Sequence, residues 1–166
     1  MKTLILAQMK DLDVCNAIIN AGKEFQREQG FTQWTEQYPN IETIRQDIQA
    51  QKGYVIKIEN RIAGYMCIDF DGEPAYNDIQ GKWNAEGPYA VVHRMAFGKE
   101  FRGMGLSEIT FQQIEKLCLS KGIKNMRVDT DLSNKRMQHV LEKNGFCRCG
   151  TIVFQGGEKL AYDKVL

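Results

Sequence analysis

The sequence predicts an α/β fold, a mixed and mostly antiparallel sheet with one strand-helix-strand crossover, and three observations predict it. The run YAVVHRMAF, Tyr89 to Phe97, is rich in β-branched and aromatic residues and leads through glycines into a helix-spaced run starting at Leu106. Two short apolar runs before it, Tyr54 to Glu59 and Ile62 to Phe70, flank a turn signal at Asn60-Arg61 and read as an antiparallel hairpin. The last two, Cys147 to Gln155 and Glu158 to Val165, are joined by Gly156-Gly157 and read as another.

In chain order, the first strand is predicted at Thr3 to Ala7. A helix capped near Asp11 follows, with Leu12, Cys15, Ile18, Ile19 and Phe25 on one face. A second helix starts at about Asn40, keeps Ile41, Ile44 and Ile48 in register, and stops before Gly53. After the first hairpin, the 17 residues Asp71 to Gly87 make a connection longer than a compact domain usually carries without a purpose; they hold Tyr76, Trp83 and several acids. The strand Tyr89 to Phe97 then enters the crossover. Its helix carries Leu106, Ile109, Phe111, Ile114, Leu117 and Cys118 at helical spacing and ends at Lys121-Gly122. Ile123 to Thr130 alternates as a strand should, with Met126 and Val128 against Arg127 and Asp129. A short helix from a cap at Ser133 to Gly145 turns Met137, Val140 and Leu141 inward and His139 to solvent.

Bulk properties narrow the function. A chain of 166 residues is most simply one domain, 1–166, with a core large enough to need no staples. Its 22 basic and 21 acidic residues nearly cancel, so nothing in the charge points to nucleic acid or to an acidic membrane surface. No apolar run reaches membrane-spanning length, and the N-terminal segment turns polar too early for a signal peptide; a cytoplasmic location is expected. Five cysteines with no C-x-x-C pair suit a reducing compartment, and two histidines, His93 and His139, offer little for a metal site. The expected partner is a small molecule, and a homodimer is the base-rate expectation for assembly.

The segment RGMGLS, Arg102 to Ser107, concentrates the chemistry. The first amides of a helix lack internal acceptors and its dipole leaves partial positive charge there, so an anion at that end meets donors already in place. Glycines let the backbone come close to it. A dinucleotide-binding reading fails because Glu108 stands where a third glycine would be needed, and no G-K-[S/T] follows to make a P-loop.

Together with SNKRMQHVLEKNGF, Ser133 to Phe146, this segment resembles the GNAT family of N-acetyltransferases, whose pyrophosphate loop reads R/Q-x-x-G-x-G/A and whose later motif reads roughly N-x-x-A-x-x-x-Y-x-K-x-G-F. The resemblance in element order covers nearly the whole chain, and it implies a GNAT-like sheet flanked by helices whose crossover carries the pyrophosphate loop. It further implies acetyl-CoA as cosubstrate. Arg102, Gly103, Met104, Gly105, Leu106 and Ser107 would offer amides to the pyrophosphate, the main chain at Met95, Ala96 and Phe97 would pair with the pantetheine arm, and Asn134 would contact the coenzyme. The sequence departs from the pattern twice. Ser107 replaces a glycine or alanine, and Leu141 stands where many members carry the tyrosine that protonates the departing thiolate.

Acetyl transfer to an amine needs an unprotonated nucleophile and donors for the oxyanion. His93 is the leading candidate base, since its ordinary pKa suits neutral pH and its strand should flank the thioester. Glu86, Asp129 and Asp131 are carboxylate alternatives at loop or strand ends, Asp131 also being placed to start the following helix. Trp34 and Tyr38, in GFTQWTEQYP, either line the acceptor pocket or anchor two helices to the sheet, and Trp83 in the long connection is either a pocket residue or an anchor. The expected activity is acetylation of a primary amine on a small molecule or peptide. A non-catalytic acyl-CoA binding or sensing module on the same fold is the alternative that Leu141 raises.

Overall fold

The structure, a computed structural model, describes all residues from Met1 to Leu166. In order the elements are β1 (Lys2–Leu6), α1 (Leu12–Glu28), α2 (Ile41–Gln49), β2 (Gly53–Ile58), β3 (Arg61–Asp69), β4 (Gln80–Gly81), β5 (Ala90–Phe97), α3 (Leu106–Ser120), β6 (Asn125–Asp131), α4 (Lys135–Lys143), β7 (Cys147–Phe154) and β8 (Gly157–Val165). The eight strands are ordered β1-β2-β3-β5-β6-β8-β7-β4. Neighbours β1 and β2, β2 and β3, β6 and β8, β7 and β8, and β4 and β7 run antiparallel, while β5 and β6 run parallel across the α3 crossover, as the sequence predicts.

The chain divides into two compact units, Met1–Ile68 with Arg94–Ile114, and Asp69–His93 with Glu115–Leu166. In the first, α1 and α2 bury one face each. Leu12, Cys15, Ile18 and Ile19 recur at the helical period and join Ile44 and Ile48 of α2, Val55 and Tyr65 of the hairpin, and Ala96 in one core cluster. Burial of a side chain such as Ile19 contributes about 1.5–3 kcal/mol. A reciprocal cap starts α2: Asn40 Oδ1 accepts from Thr43 N at 3.1 Å, and Thr43 Oγ1 accepts from Asn40 N at 3.2 Å. Phe25, expected on the apolar face of α1, is only half-buried, and the Arg102 guanidinium lies 4.3 Å above its ring.

The second unit is built around Tyr76, Trp83, Val91, Ile152 and Ala161. Here the long connection Asp71 to Gly87 carries structure of its own. Pro74–Asp78 forms a 3₁₀ turn, and β4 pairs with β7 at Gln80↔Thr151 and Gly81↔Gly150. Two facing glycines make that pairing: a Cβ on Gly81 would lie 2.1 Å from the Cys149 carbonyl oxygen, and one on Gly150 2.1 Å from that of Gln80. Periodicity could not reveal a strand of two residues.

Smaller corrections share a local cause. Both hairpin turns fall one residue earlier than predicted, at Glu59-Asn60 and Gln155-Gly156, because Ile58 pairs with Arg61 and Phe154 with Gly157. Gln155 and Gly156 both take positive φ, 54° and 75°, the twist a two-residue hairpin turn favours. The cap of α4 is Asn134 rather than Ser133, since the Ser133 amide and hydroxyl are both spent on Asp131 Oδ1, at 2.9 and 2.6 Å. The first strand begins and ends one residue before its predicted span.

Candidate active site

In the first unit the segment Arg102 to Gly105 joins a 3₁₀ turn, Lys99–Phe101, to the first turn of α3. Gly103 and Gly105 take left-handed φ values of 78° and 69°, and a Cβ on either would meet nothing within 4 Å, so the loop presents bare backbone to open space. Leu106 is buried and pins the helix start, while Gly103, Met104 and Gly105 are exposed. The Arg102 side chain is taken up by α1: Nη2 donates to the Ala21 carbonyl at 2.9 Å while the guanidinium covers Phe25. Arg102 thus anchors the loop to α1.

β5 carries a feature the sequence did not announce. Arg94 takes φ 55°, although it is neither glycine nor in a turn. Its guanidinium makes a two-pronged contact with Asp47 of α2, Nε to Oδ2 at 3.0 Å and Nη2 to Oδ1 at 2.7 Å, and Nη1 donates to the Tyr38 hydroxyl at 2.8 Å. Tyr65 of β3 donates its hydroxyl to Asp47 Oδ2 at 2.6 Å. The Arg94 and Asp47 side chains are only 13% and 10% exposed. Burial opposes the guanidinium charge, but Cys67, the Asp47 carboxylate and Tyr38 more than offset it and raise the Arg94 pKa further. Burial and the adjacent Asp47 charge likewise push the Tyr65 hydroxyl well above the ordinary tyrosine range. A buried ion pair was legible in principle: Arg94 interrupts an apolar strand, and Asp47 sits on the Ile44-Ile48 face of α2. Nothing in the sequence says that the two meet.

Beside them, Tyr38 and Trp34 both sit half-buried in the segment between α1 and α2. A Cβ on Gly22 would come within 2.8 Å of the Trp34 ring and 3.3 Å of the Ala96 methyl, so ring, helix and β5 meet at that glycine. Trp34 therefore packs on the first core, and Tyr38 ends in the Arg94 hydrogen bond.

In the second unit, β5 and β6 pair at Ala90↔Met126 and Val91↔Arg127, and the paired register stops there. Residues two positions on, His93 and Asp129, share the face of Val91 and Arg127 by strand alternation. Contacts agree with this: His93 is half-buried and stacks on Phe154 at 5.8 Å, and Asp129 Oδ2 accepts from the Tyr76 hydroxyl at 2.7 Å. Burial raises the Asp129 pKa, with the Tyr76 hydrogen bond and Lys159 acting in the other direction. The Tyr76 hydroxyl is itself raised well above the usual value, by burial and then by the Asp129 charge. A histidine and, on the neighbouring parallel strand, a carboxyl whose pKa is raised thus lie on one sheet face, each two residues past the paired register.

The remaining candidates lie elsewhere. Trp83 is a core anchor, only 9% exposed: its indole Nε1 donates to the Tyr76 carbonyl at 3.0 Å and the Arg127 guanidinium lies 4.2 Å above its ring. The Arg127 guanidinium also lies 4.0 Å from the Tyr89 ring and donates to the Ala85 carbonyl at 2.9 Å, which secures the connection between β4 and β5. Glu86 is exposed on that connection. Asp131 is committed on both oxygens, to Ser133 and, at 3.2 Å, to Lys159. Burial works to raise its pKa, but the hydrogen bonds from Ser133 and Lys159 prevail and hold it below the ordinary range. Asn134 Oδ1 accepts from Met137 N at 3.0 Å as the cap of α4. Leu141 is fully buried. No group of three or more His, Cys, Asp or Glu is placed to hold a metal ion.

The fold around this loop and strand recurs in solved structures. A GNAT-family acetyltransferase from Streptococcus agalactiae 2603 is 30% identical, with 99% of this chain and 95% of that one covered and a TM-score of 0.90. A GNAT-family acetyltransferase from Listeria monocytogenes 4b F2365 is 23% identical over 99% and 95%, with a TM-score of 0.79. The aminoglycoside acetyltransferase AAC(6')-Ib, solved in complex with coenzyme A and kanamycin, shares the fold at 19% identity over 99% and 95%, with a TM-score of 0.73. No curated protein sequence matches the chain. The model of the acetyltransferase (GNAT) family matches residues 19–146, a span that takes in the Arg94 step, the glycine loop and the closing Gly145-Phe146. With the whole chain superposable on a family member and its glycine loop standing before the crossover helix, this protein belongs to the GNAT acetyltransferase family.

Proposed function

We propose that the protein transfers the acetyl group of acetyl-CoA to a primary amine on a small molecule or peptide by direct attack. The observation that carries this reading is the exposed, left-handed Gly103-Met104-Gly105 backbone before α3: bare amides at the positive end of a 15-residue helix suit a diphosphate. The amides from Arg102 to Ser107 take the pyrophosphate, the main chain of Met95, Ala96 and Phe97 takes the pantetheine arm as an added strand, and Asn134 contacts the coenzyme from the start of α4. Trp34 and Tyr38 belong to the acceptor side.

The amine nitrogen attacks the thioester carbonyl, a C–N bond forms, and the C–S bond breaks as the tetrahedral intermediate collapses. His93 removes a proton from the acceptor, either from the ammonium before attack or from the amine nitrogen as the C–N bond forms. Asp129, on the same sheet face, is the second candidate base and a counter-charge for a cationic acceptor. Asp131 is the weakest candidate, since a lowered pKa and two committed oxygens suit an ion pair better than proton transfer. With Leu141 buried and apolar, coenzyme A leaves as a thiolate that takes its proton from water. Related folds solved with coenzyme A and kanamycin support a small amine as acceptor.

Calorimetry with acetyl-CoA tests the coenzyme half, and release of free coenzyme A with spermidine, lysine, kanamycin and a peptide bearing a free N-terminus tests the transfer. Heat of binding with amine-stimulated release is the expected result. Binding without stimulation by any of these amines would favour the sensing module instead, the reading that Leu141 supports. No binding would overturn both.

A further inference from the structure

Arg94 takes a conformation that its surroundings must hold in place. The other non-glycine residues with positive φ, Gln51, Glu59 and Gln155, lie in turns, whereas Arg94 lies within β5. For an L-residue the left-handed region is sterically costly, so it persists where neighbours over-determine it. Here they do. Asp47 accepts both prongs of the Arg94 fork and the Tyr65 hydroxyl, which fastens β5 to α2 and β3. The third arm, Nη1 to the Tyr38 hydroxyl, fastens it to the segment that also carries Trp34. That segment is tied again further back, where Gln26 Oε1 accepts the amides of Gln33 and Trp34 at 3.2 and 2.9 Å. One guanidinium therefore joins the strand leading into Met95–Phe97 to the segment bearing Trp34 and Tyr38.

We propose that Arg94 is a positioning residue for acetyl transfer: its fork with Asp47 and its bond to Tyr38 fix the left-handed step in β5 and the acceptor segment in one arrangement. The inference rests on the proposed roles of Met95–Phe97 and of Trp34 and Tyr38. The step sets the direction in which the following amides point, and the Tyr38 bond makes the acceptor segment depend on that same step. Loosening either end should loosen the other. A buried ion pair serving stability alone would show no such coupling.

Two measurements separate these possibilities. Arg94→Gly and Arg94→Ala both delete the network, but only glycine accepts the left-handed backbone without penalty. In calorimetry with acetyl-CoA, Arg94→Gly should bind at least threefold more tightly than Arg94→Ala, and equal affinities would overturn the proposal. Should both fail to fold, Tyr38→Phe removes a single hydroxyl and leaves the fork intact. Hydrogen exchange on that variant, with no ligand present, should quicken at Gln33–Tyr38 and also at Met95–Phe97. Faster exchange confined to Gln33–Tyr38, in a wild-type chain that binds acetyl-CoA, overturns the positioning role alone. Absence of acetyl-CoA binding by the wild-type chain overturns the proposed function and the catalytic half of this inference with it.

Discussion

At the scale of single residues, His93 and Asp129 are the proposed bases. Each faces an aromatic partner, Phe154 for the imidazole and Tyr76 for the carboxyl, so both are oriented before any substrate arrives. Replacing His93 with Ala should cut amine-stimulated release of coenzyme A about 100-fold, the usual scale for a lost general base, while acetyl-CoA affinity stays within twofold. Unchanged turnover would remove His93 from the reaction. The cysteines behave differently. Burial pushes the Cys15 thiol up to about 12 and that of Cys118 to about 11, and burial with the Asp163 charge lifts Cys149 to about 12. Cys67 is buried, and Cys147 is exposed. A thiol reagent at pH 8 should therefore modify one cysteine quickly, and Cys147→Ser should abolish that phase. The sequence placed Cys15 and Cys118 on apolar helix faces by spacing, and both are buried there.

Among the elements, the glycine loop and the β4–β5 connection make opposite demands on the chain. For the proposed diphosphate contact the loop must stay bare. Gly105→Val would place a branched side chain on a left-handed backbone and in the space the diphosphate would use, so acetyl-CoA affinity should fall at least tenfold in calorimetry. Wild-type affinity in that variant would remove the loop from the coenzyme site. The connection instead needs bulk. Trp83 fills the second core and shares the Arg127 cation with Tyr89, so Trp83→Ala should cost about 3–5 kcal/mol in urea unfolding. A loss below 1 kcal/mol would return Trp83 to the list of pocket residues. The glycines were legible because their need is local, a φ that other residues avoid. The tryptophan's role was not, because a long connection with one large aromatic reads the same whether the ring faces a ligand or a core.

For the molecule as a whole, two neighbouring carboxylates should tilt stability with pH in opposite directions. Asp131 is held below its unfolded pKa, so its contribution is present above that value and is lost as pH falls through the folded one. Asp131→Asn should lower the melting temperature at pH 7, and the difference from wild type should close as the solution is acidified. Asp129 is raised, so its ionised form costs stability, and that cost grows as pH rises from the unfolded toward the folded pKa. Asp129→Asn should keep an acceptor for Tyr76, melt higher than wild type at pH 8, and show no such gain at pH 3. A gain at both values, or at neither, would mean that the carboxyl carries no burial cost.

By itself the sequence determined the order of the elements, the crossover, and the place of the glycine loop, because periodicity, turn residues and helix starts are written within a few neighbours of one another. It also carried the family resemblance, through two motifs each contained in one short segment. Only the tertiary structure decided what the intervening residues do: that Arg94 reaches Asp47 and Tyr38, that Tyr76 caps Asp129, that Arg127 meets the rings of both Trp83 and Tyr89, and that two facing glycines admit a short strand beside β7. Those contacts join residues tens of positions apart, and a charge or ring in the sequence does not specify its partner until the folded backbone brings the two within hydrogen-bonding or van der Waals reach.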